Sequence, residues 1–198
     1  YMEENQRART IIAEIQEELA KIGEDPGETV WSFVVGQLRF LTQELAGIQT
    51  HYVRKENQLF PLLERHELSA PGKVMWEVHD DIRRQFRYAQ ELLTGKERIA
   101  ARKALPELIA AVEDMIFKEE RILFPMTLQV LSDADWKRCR LGEEEIGYAF
   151  GVAPGDVWTV GATETGAFGA ATGLINLATG QLAAEMIDAI LCNLPVDI

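Results

Sequence analysis

The chain has 198 residues, of which 47% are hydrophobic, and its 32 acidic and 20 basic residues give a formal net charge of −12. The apolar fraction is enough to fill an ordinary core, which excludes a globally disordered chain. The acidic balance excludes nucleic acid as the main partner, because binding a phosphate backbone requires Lys and Arg to neutralise it.

Cysteine usage and hydropathy predict a cytoplasmic protein without a membrane span. Cys139 and Cys192 show no C-x-x-C spacing, so neither a disulfide framework nor a zinc ribbon is expected, and a reducing compartment fits. No basic segment followed by an apolar one indicates a secretion signal. The uncharged run between Glu164 and Glu185 is long enough for a span, but its glycines, threonines, Asn and Gln are wrong for one.

Four helices are predicted in chain order, because apolar residues recur at i, i+3 and i+4. They run over about Glu3 to Ile22, Thr29 to Phe60, Lys73 to Leu93 and Lys96 to Leu131. Pro61 and Pro125 should disturb the second and fourth helices, since proline lacks the N–H that pairs four residues back. Ala70, before a proline, is biased away from helix. Short joins favour an all-α, up-down-up-down four-helix bundle over residues 1–135.

The amino-acid composition changes after residue 135. Residues 136–180 are rich in glycine, which predicts an irregular linker with a short strand at Val157 to Val160. Residues 181–198 predict a final short helix, over about Gln181 to Asn193. Its apolar stripe would pack on the bundle or on a second copy of the chain, giving a homodimer.

One motif occurs twice, as "ENQLFP" from Glu56 and as "ERILFP" from Glu120. The second and fourth helices of such a bundle are related by a pseudo-two-fold axis, so both motifs should lie at one level of the core. Inward carboxylates and imidazoles on bundle helices are the ligands of di-iron and di-manganese sites. The five candidate metal ligands are His51, Glu56, His79, Glu119 and Glu120.

Four segments carry a family resemblance: "HYVRKENQLFP", "VMWEVHDDIR", "MIFKEERILFP", and "DADW" followed by "GEEEIGYAF". Together they resemble the hemerythrin-like (HHE cation-binding) domain, and more narrowly a prokaryotic family of unknown function that joins this domain to a C-terminal PAS sensor domain. The segment "LATGQLAAEMIDAILCNLPVDI" resembles the approach to that PAS domain. The resemblance implies iron, in a di-iron or mononuclear centre, or another divalent metal. It also implies a PAS domain in cis, beyond this chain.

The chain departs from the family pattern at several ligand positions. The first helix has no histidine, and the family's histidine is expected just upstream of Tyr1. Lys55 stands where the resemblance implies a glutamate ligand, and Met115 stands at a histidine position. Glu56 follows His51 by five residues, roughly 140° around a helix, so only a π-bulge or a proline kink would bring them together. Asp80, beside His79, either orients that ring or faces water.

Two interpretations of the centre therefore stay open. In one, a reduced metal site uses His51, Glu56, His79 and one of Glu119 and Glu120. In the other, the bundle is metal-free and Lys55 pairs with one of those glutamates where the metal would sit. The corresponding functions are a PAS-linked sensory module, a structural or dimerisation scaffold, and a di-iron redox enzyme. The missing ligands weigh against the enzyme, and no catalytic residue is predicted.

Overall fold

The structure, a computed structural model, describes residues 1–95, 97–152, 174–177 and 180–183. Four helical arms form the predicted all-α bundle. In chain order they are α1 (Met2–Ala20); α2 (Glu28–Leu45), α3 (Ile48–Arg54) and α4 (Phe60–Arg65); α5 (Ala70–Thr94); and α6 (Arg98–Lys118) and α7 (Phe124–Val130). None of the helices in the described ranges is long and apolar enough to cross a membrane.

Each of the second and fourth arms contains one π-helical turn. The first π segment is Lys55–Leu59 and the second is Glu119–Leu123. Both lie directly before a Phe-Pro pair, so that Pro61 and Pro125 fall in the first turn of the next α-helix, where a missing N–H costs least. The predicted disturbance by the prolines therefore takes the form of a matched π turn at the same place in each repeat.

Two predicted boundaries differ from the structure. The second arm is interrupted after Leu45, although a continuous helix was expected. Helix α5 begins at Ala70, which the sequence placed outside the helix. The reason is that Pro71 occupies the first helical turn, a position that proline tolerates because its N–H would have no intrahelical partner there.

The chain stays helical beyond the predicted boundary at residue 135. Helix α8 (Asp133–Leu141) and helix α9 (Glu143–Ile146) follow the bundle, and a 3₁₀ turn covers Ala149–Gly151. The irregular linker expected over residues 136–180 is therefore wrong for its first part. The cause is a capping box, in which Asp135 N donates to Ser132 Oγ at 3.3 Å and Ser132 N donates to Asp135 Oδ2 at 3.1 Å.

Two short strands are described near the end of the chain. Strand β1 (Leu174–Leu177) and strand β2 (Gly180–Ala183) form an antiparallel hairpin with Leu174 opposite Ala183, and β1 lies against α7. The helix predicted from Gln181 is thus wrong for residues 181–183, whose backbone groups pair with β1. The remainder of that helix and the strand predicted at Val157 to Val160 lie outside the described residues.

The core between the arms is apolar over most of its length, with Ile11, Leu38, Phe86 and Leu108 almost fully buried. At the level of the two π segments the buried residues become polar. The polar or charged side chains buried there are Glu4, Asn5, His51, Arg54, Lys55, Glu56, His79 and Glu119. The repeat predicted from the sequence therefore marks a polar layer across the bundle.

Candidate functional site

Four fully buried side chains form what we call the polar centre: His51, Lys55, His79 and Glu119. Lys55 Nζ donates a short hydrogen bond to Glu119 Oε1, and it lies 2.9 Å from His79 Nε2. His51 Nε2 lies 3.0 Å from Glu119 Oε2. The lysine ammonium thus occupies the position toward which one imidazole and one carboxylate converge.

The outer nitrogen of His51 is held by a carboxylate that is itself held by an arginine. His51 Nδ1 lies 3.0 Å from Glu4 Oε2. Arg54 donates to both oxygens of Glu4, at 2.7 Å and 3.1 Å. A carboxylate on Nδ1 fixes the orientation of an imidazole and aims Nε2 inward.

His79 has the same kind of support. His79 Nδ1 lies 2.7 Å from Glu56 Oε1, and Arg83 donates to both oxygens of Glu56 at 2.9 Å and 2.8 Å. The result is one continuous series of hydrogen-bonded groups, which we call the charge chain. Its members in order are Arg54, Glu4, His51, Glu119, Lys55, His79, Glu56 and Arg83.

The hydrogen bonds assign the protons of both imidazoles. Ionised carboxylates only accept, so His79 donates from Nδ1 to Glu56 and its Nε2 accepts from the Lys55 ammonium. Burial and the neighbouring Lys55 charge hold the pKa of His79 well below its ordinary value, which favours this neutral ring. Both nitrogens of His51 face carboxylates, an arrangement that a doubly protonated ring satisfies on both sides.

The charges in the centre shift the pKa values of their neighbours. Burial raises the pKa of Glu119, but the charges of Lys55 and His51 outweigh it and leave the pKa below the ordinary value. Burial likewise opposes ionisation of Glu4, yet hydrogen bonding to His51 and the charge of Arg54 lower its pKa to about 2. Burial lowers the pKa of Lys55, against the attraction of Glu119. Both carboxylates are therefore held ionised by the cations beside them.

The polar centre is arranged about the expected pseudo-two-fold axis. Lys55 and Glu119, the first residues of the two π segments, are equivalent positions that carry opposite charges and pair with each other. Asn5 on α1 corresponds to His79 on α5, because Asn5 Nδ2 donates to Glu119 Oε2 at 2.9 Å. At this level the first arm therefore contributes the Asn5 amide, whereas the third arm contributes the His79 imidazole.

The outer carboxylates follow the same symmetry. Glu56 is held by Arg83, and Glu120 is held by Arg9 through two hydrogen bonds of 2.9 Å and 2.8 Å. Arg9 follows Asn5 by one helical turn, as Arg83 follows His79. Of the five candidate ligands, Glu56 and Glu120 therefore point to arginines at the edge of the layer. His51, His79 and Glu119 meet at the centre.

The remaining residues, which were predicted to support or replace metal ligands, are Met115, Asp80 and Lys55. Met115, equivalent to His51 in the repeat, is fully buried in the apolar core. The Asp80 carboxylate is half exposed and bonds Arg83 at 2.7 Å, so it touches His79 only through Arg83 and Glu56. Lys55 pairs with Glu119, one of the two glutamates that the sequence offered as its partner.

Sequence analysis missed Glu4 and Asn5, which together connect α1 to both halves of the polar centre. The signal was present, because the apolar stripe of α1 through Ala8, Ile12 and Ile15 reaches these two positions when extended back by one turn. Arg54 was missed as well. Its guanidinium is buried between the Tyr1 and Tyr148 rings, at 4.6 Å and 4.7 Å from their centroids.

The donor set does not fit a metal ion. The Lys55 ammonium bonds both Glu119 and His79 Nε2, and it has no lone pair to offer a cation. A metal at this point would meet a positive charge in contact with two of its ligands. Within the described residues, no group of three or more His, Cys, Asp and Glu side chains has a geometry that could hold a metal.

Comparison with known proteins identifies the family. The sequence pattern described as "Hemerythrin HHE cation binding domain" matches residues 1–127. The chain belongs to this family, and the four arms with their central polar layer are the region that the match covers. No curated protein matches the sequence.

Replacing Lys55 by Met should destabilise the protein by about 3–5 kcal/mol, because Glu119 keeps a buried charge without its partner. The double variant Lys55→Met with Glu119→Gln should recover most of this loss. Urea unfolding measures both free energies, and Lys103→Met, at an exposed position, is the matched control. A single variant as stable as the wild type would show that the pair is not formed.

The free energy of unfolding should decrease over two separate ranges as the pH is lowered. The folded pKa of His79 lies below 6.5, so the unfolded state takes up a proton first as the pH drops below that value, which favours unfolding. The folded pKa values of Glu4 and Glu119 lie below 4.5, so their contribution is complete above that pH and is lost towards about pH 2. Urea unfolding at a series of pH values measures this. The control variant His66→Gln, at a partly exposed histidine, should still lose stability over the upper pH range. Constant stability from pH 7 to 5 would contradict the neutral His79.

Proposed function

We propose that this chain is a metal-free hemerythrin-fold regulatory module, in which the Lys55 ammonium replaces the cation and which acts on a PAS domain in cis. The observation that carries the proposal is the position of Lys55 Nζ, bonded to Glu119 Oε1 and to His79 Nε2. A fixed internal cation neutralises Glu119 without a metal. The family frame is then kept for its packing and for its network of charges.

A route from the polar centre to the exit of the bundle supports the regulatory part. Ala149 N donates to Glu4 Oε1 at 2.7 Å, so the carboxylate that holds His51 also holds the segment leading out of the bundle. A change in charge or packing at His51 therefore alters a contact of residues 147–152 directly. The PAS domain as the receiver is supported by the resemblance of the C-terminal segment.

Metal binding is the second candidate, and one observation favours it. Both histidines keep a carboxylate on Nδ1, the support that ligating imidazoles usually have. Proteins of the family are described as cation-binding. In this candidate Lys55 leaves the centre and His51, His79 and Glu119 would hold the ion.

Comparison of the wild type with Lys55→Glu, in chelator and in Fe²⁺, separates the two candidates. It places an acid next to Glu119, so the variant should be less stable than the wild type in chelator and should recover with Fe²⁺ added anaerobically. Saturation at a hundredfold excess over Kd would add about 2.7 kcal/mol. Wild type should hold iron far below one ion per chain and show the same melting temperature with chelator or Fe²⁺.

Lys103→Glu makes the same change at an exposed site and should behave as wild type. Elemental analysis and thermal melting give both readouts. Stoichiometric iron in the wild type, together with a raised melting temperature, would replace the metal-free proposal with the second candidate.

The route to the exit segment has its own test. Glu4→Gln removes the charge that holds Arg54, His51 and Ala149 N, so the amide of Ala149 should exchange with solvent at least about tenfold faster, since a buried charge-assisted hydrogen bond is worth about 1.5–3 kcal/mol. Hydrogen exchange followed by NMR measures it. Glu3→Gln changes the exposed neighbouring residue and should leave this amide unchanged. Equal exchange in both variants would disconnect the exit segment from the polar centre.

A further inference from the structure

We infer that a cavity at the Arg54 end of the charge chain binds an uncharged small molecule with a flat apolar body and one hydrogen-bond acceptor. The cavity has a volume of about 800 Å³ and lies between the start of α1, α7, α8 and the segment at residues 148–152. This volume falls in the range of small-molecule sites, about 300–1,000 Å³.

The lining explains the apolar body. Most of the wall consists of apolar and aromatic side chains, among them Met2, Phe124, Leu128, Trp136 and Val152. Leu128 is 71% exposed at the rim. Covering such a surface with an apolar ligand removes it from water, which is favourable in proportion to the area covered.

Two buried donors explain the acceptor. Arg54 lines the cavity and is 2% exposed, and within the described residues its Nε has no hydrogen-bond partner. Glu143 Oε1 lies 3.8 Å from this Nε, too far for a hydrogen bond. Tyr1 Oη, buried at the cavity wall near Arg54 and Cys139, makes no hydrogen bond of normal geometry in the same ranges. An unsatisfied buried donor is costly, and one carbonyl oxygen would relieve that cost.

The charges at the wall explain why the molecule is uncharged. Arg54 is neutralised by Glu4, and Arg140 bonds Glu143 at 3.1 Å. Glu3 and Glu120 also line the cavity, so an anion would meet an excess of carboxylates. A cation would meet Arg54 and Arg140 at the wall, and Glu120 already pairs with Arg9.

The position of the cavity gives binding a consequence. Its wall includes Arg54 and Glu4, the first two members of the charge chain. A ligand bound at Arg54 Nε therefore acts on Glu4, the carboxylate that holds His51 and Ala149 N. This consequence rests on the proposed regulatory function, whereas binding itself does not.

The neutral dye Prodan, a naphthalene with a single ketone oxygen, tests the site in the full chain. We expect one saturable site per chain with blue-shifted emission, measured by fluorescence titration in chelator. Leu128→Glu adds a charge at the exposed rim and should weaken binding by at least about tenfold. Phe33→Glu makes a matched change at an exposed apolar residue outside the cavity wall and should leave binding unchanged.

Tyr1→Phe tests the donor. Loss of one hydrogen bond should weaken Prodan by about three- to tenfold and leave N-phenylnaphthylamine, which has no oxygen, unaffected. Non-saturable binding, or equal affinities of the Leu128→Glu and Phe33→Glu variants, overturns the site. Absence of binding, the result expected if another segment of this chain closes the cavity, would overturn it too. Metal-free buffer keeps these outcomes separate from the iron titration, so each proposal fails by its own measurement.

Discussion

The buried ion pair between Lys55 and Glu119 is the interaction on which the polar layer depends. Each charge alone in the dry core would cost several kcal/mol, and attraction offsets that cost only when the remaining donors and acceptors are satisfied. The second oxygen of Glu119 therefore interacts with His51 and Asn5, and the Lys55 ammonium donates a second hydrogen bond to His79 Nε2. Apolar residues of similar volume can be as stable as such a pair, so the pair is weak evidence for added stability; what it determines is which atoms face the centre.

The two imidazoles show how one frame can serve a cation of either kind. In each, a carboxylate on Nδ1 fixes the orientation of the ring and aims Nε2 inward, and an arginine holds the carboxylate. Around a metal this arrangement raises the basicity of the ligand. Around the ammonium, His79 presents a neutral Nε2 that accepts a hydrogen bond from Lys55, whereas Nε2 of His51 faces Glu119. The outer parts of the network are thus compatible with both, and under the function proposed above the residue at position 55 decides between them.

Much of the fold could be predicted from the sequence, because apolar periodicity sets the four arms and the repeat sets their common polar level. The pairing of Lys55 with one of Glu119 and Glu120 was predicted from the family resemblance, which puts Lys55 at a ligand position, together with the opposite charges. The roles of Glu4 and Asn5 were not, since polar residues in the first turn of a helix are usually solvated, and only the distant π segments bury them. Which glutamate faces the centre also depends on the π turns, whose extra residue rotates the next helix and leaves little trace in local composition. The glycine-rich composition after residue 135 predicted an irregular linker, but helix capping by Ser132 and Asp135 starts a further helix there.

The opposite charges at the two equivalent positions make the halves of the bundle non-interchangeable. An assembly of two first halves would bring lysine against lysine, and two second halves would bring glutamate against glutamate, both without water to screen them. Only unlike halves can close around this core. A change at either position therefore leaves the other as a buried charge without its partner, so the two halves match in shape and complement each other in charge.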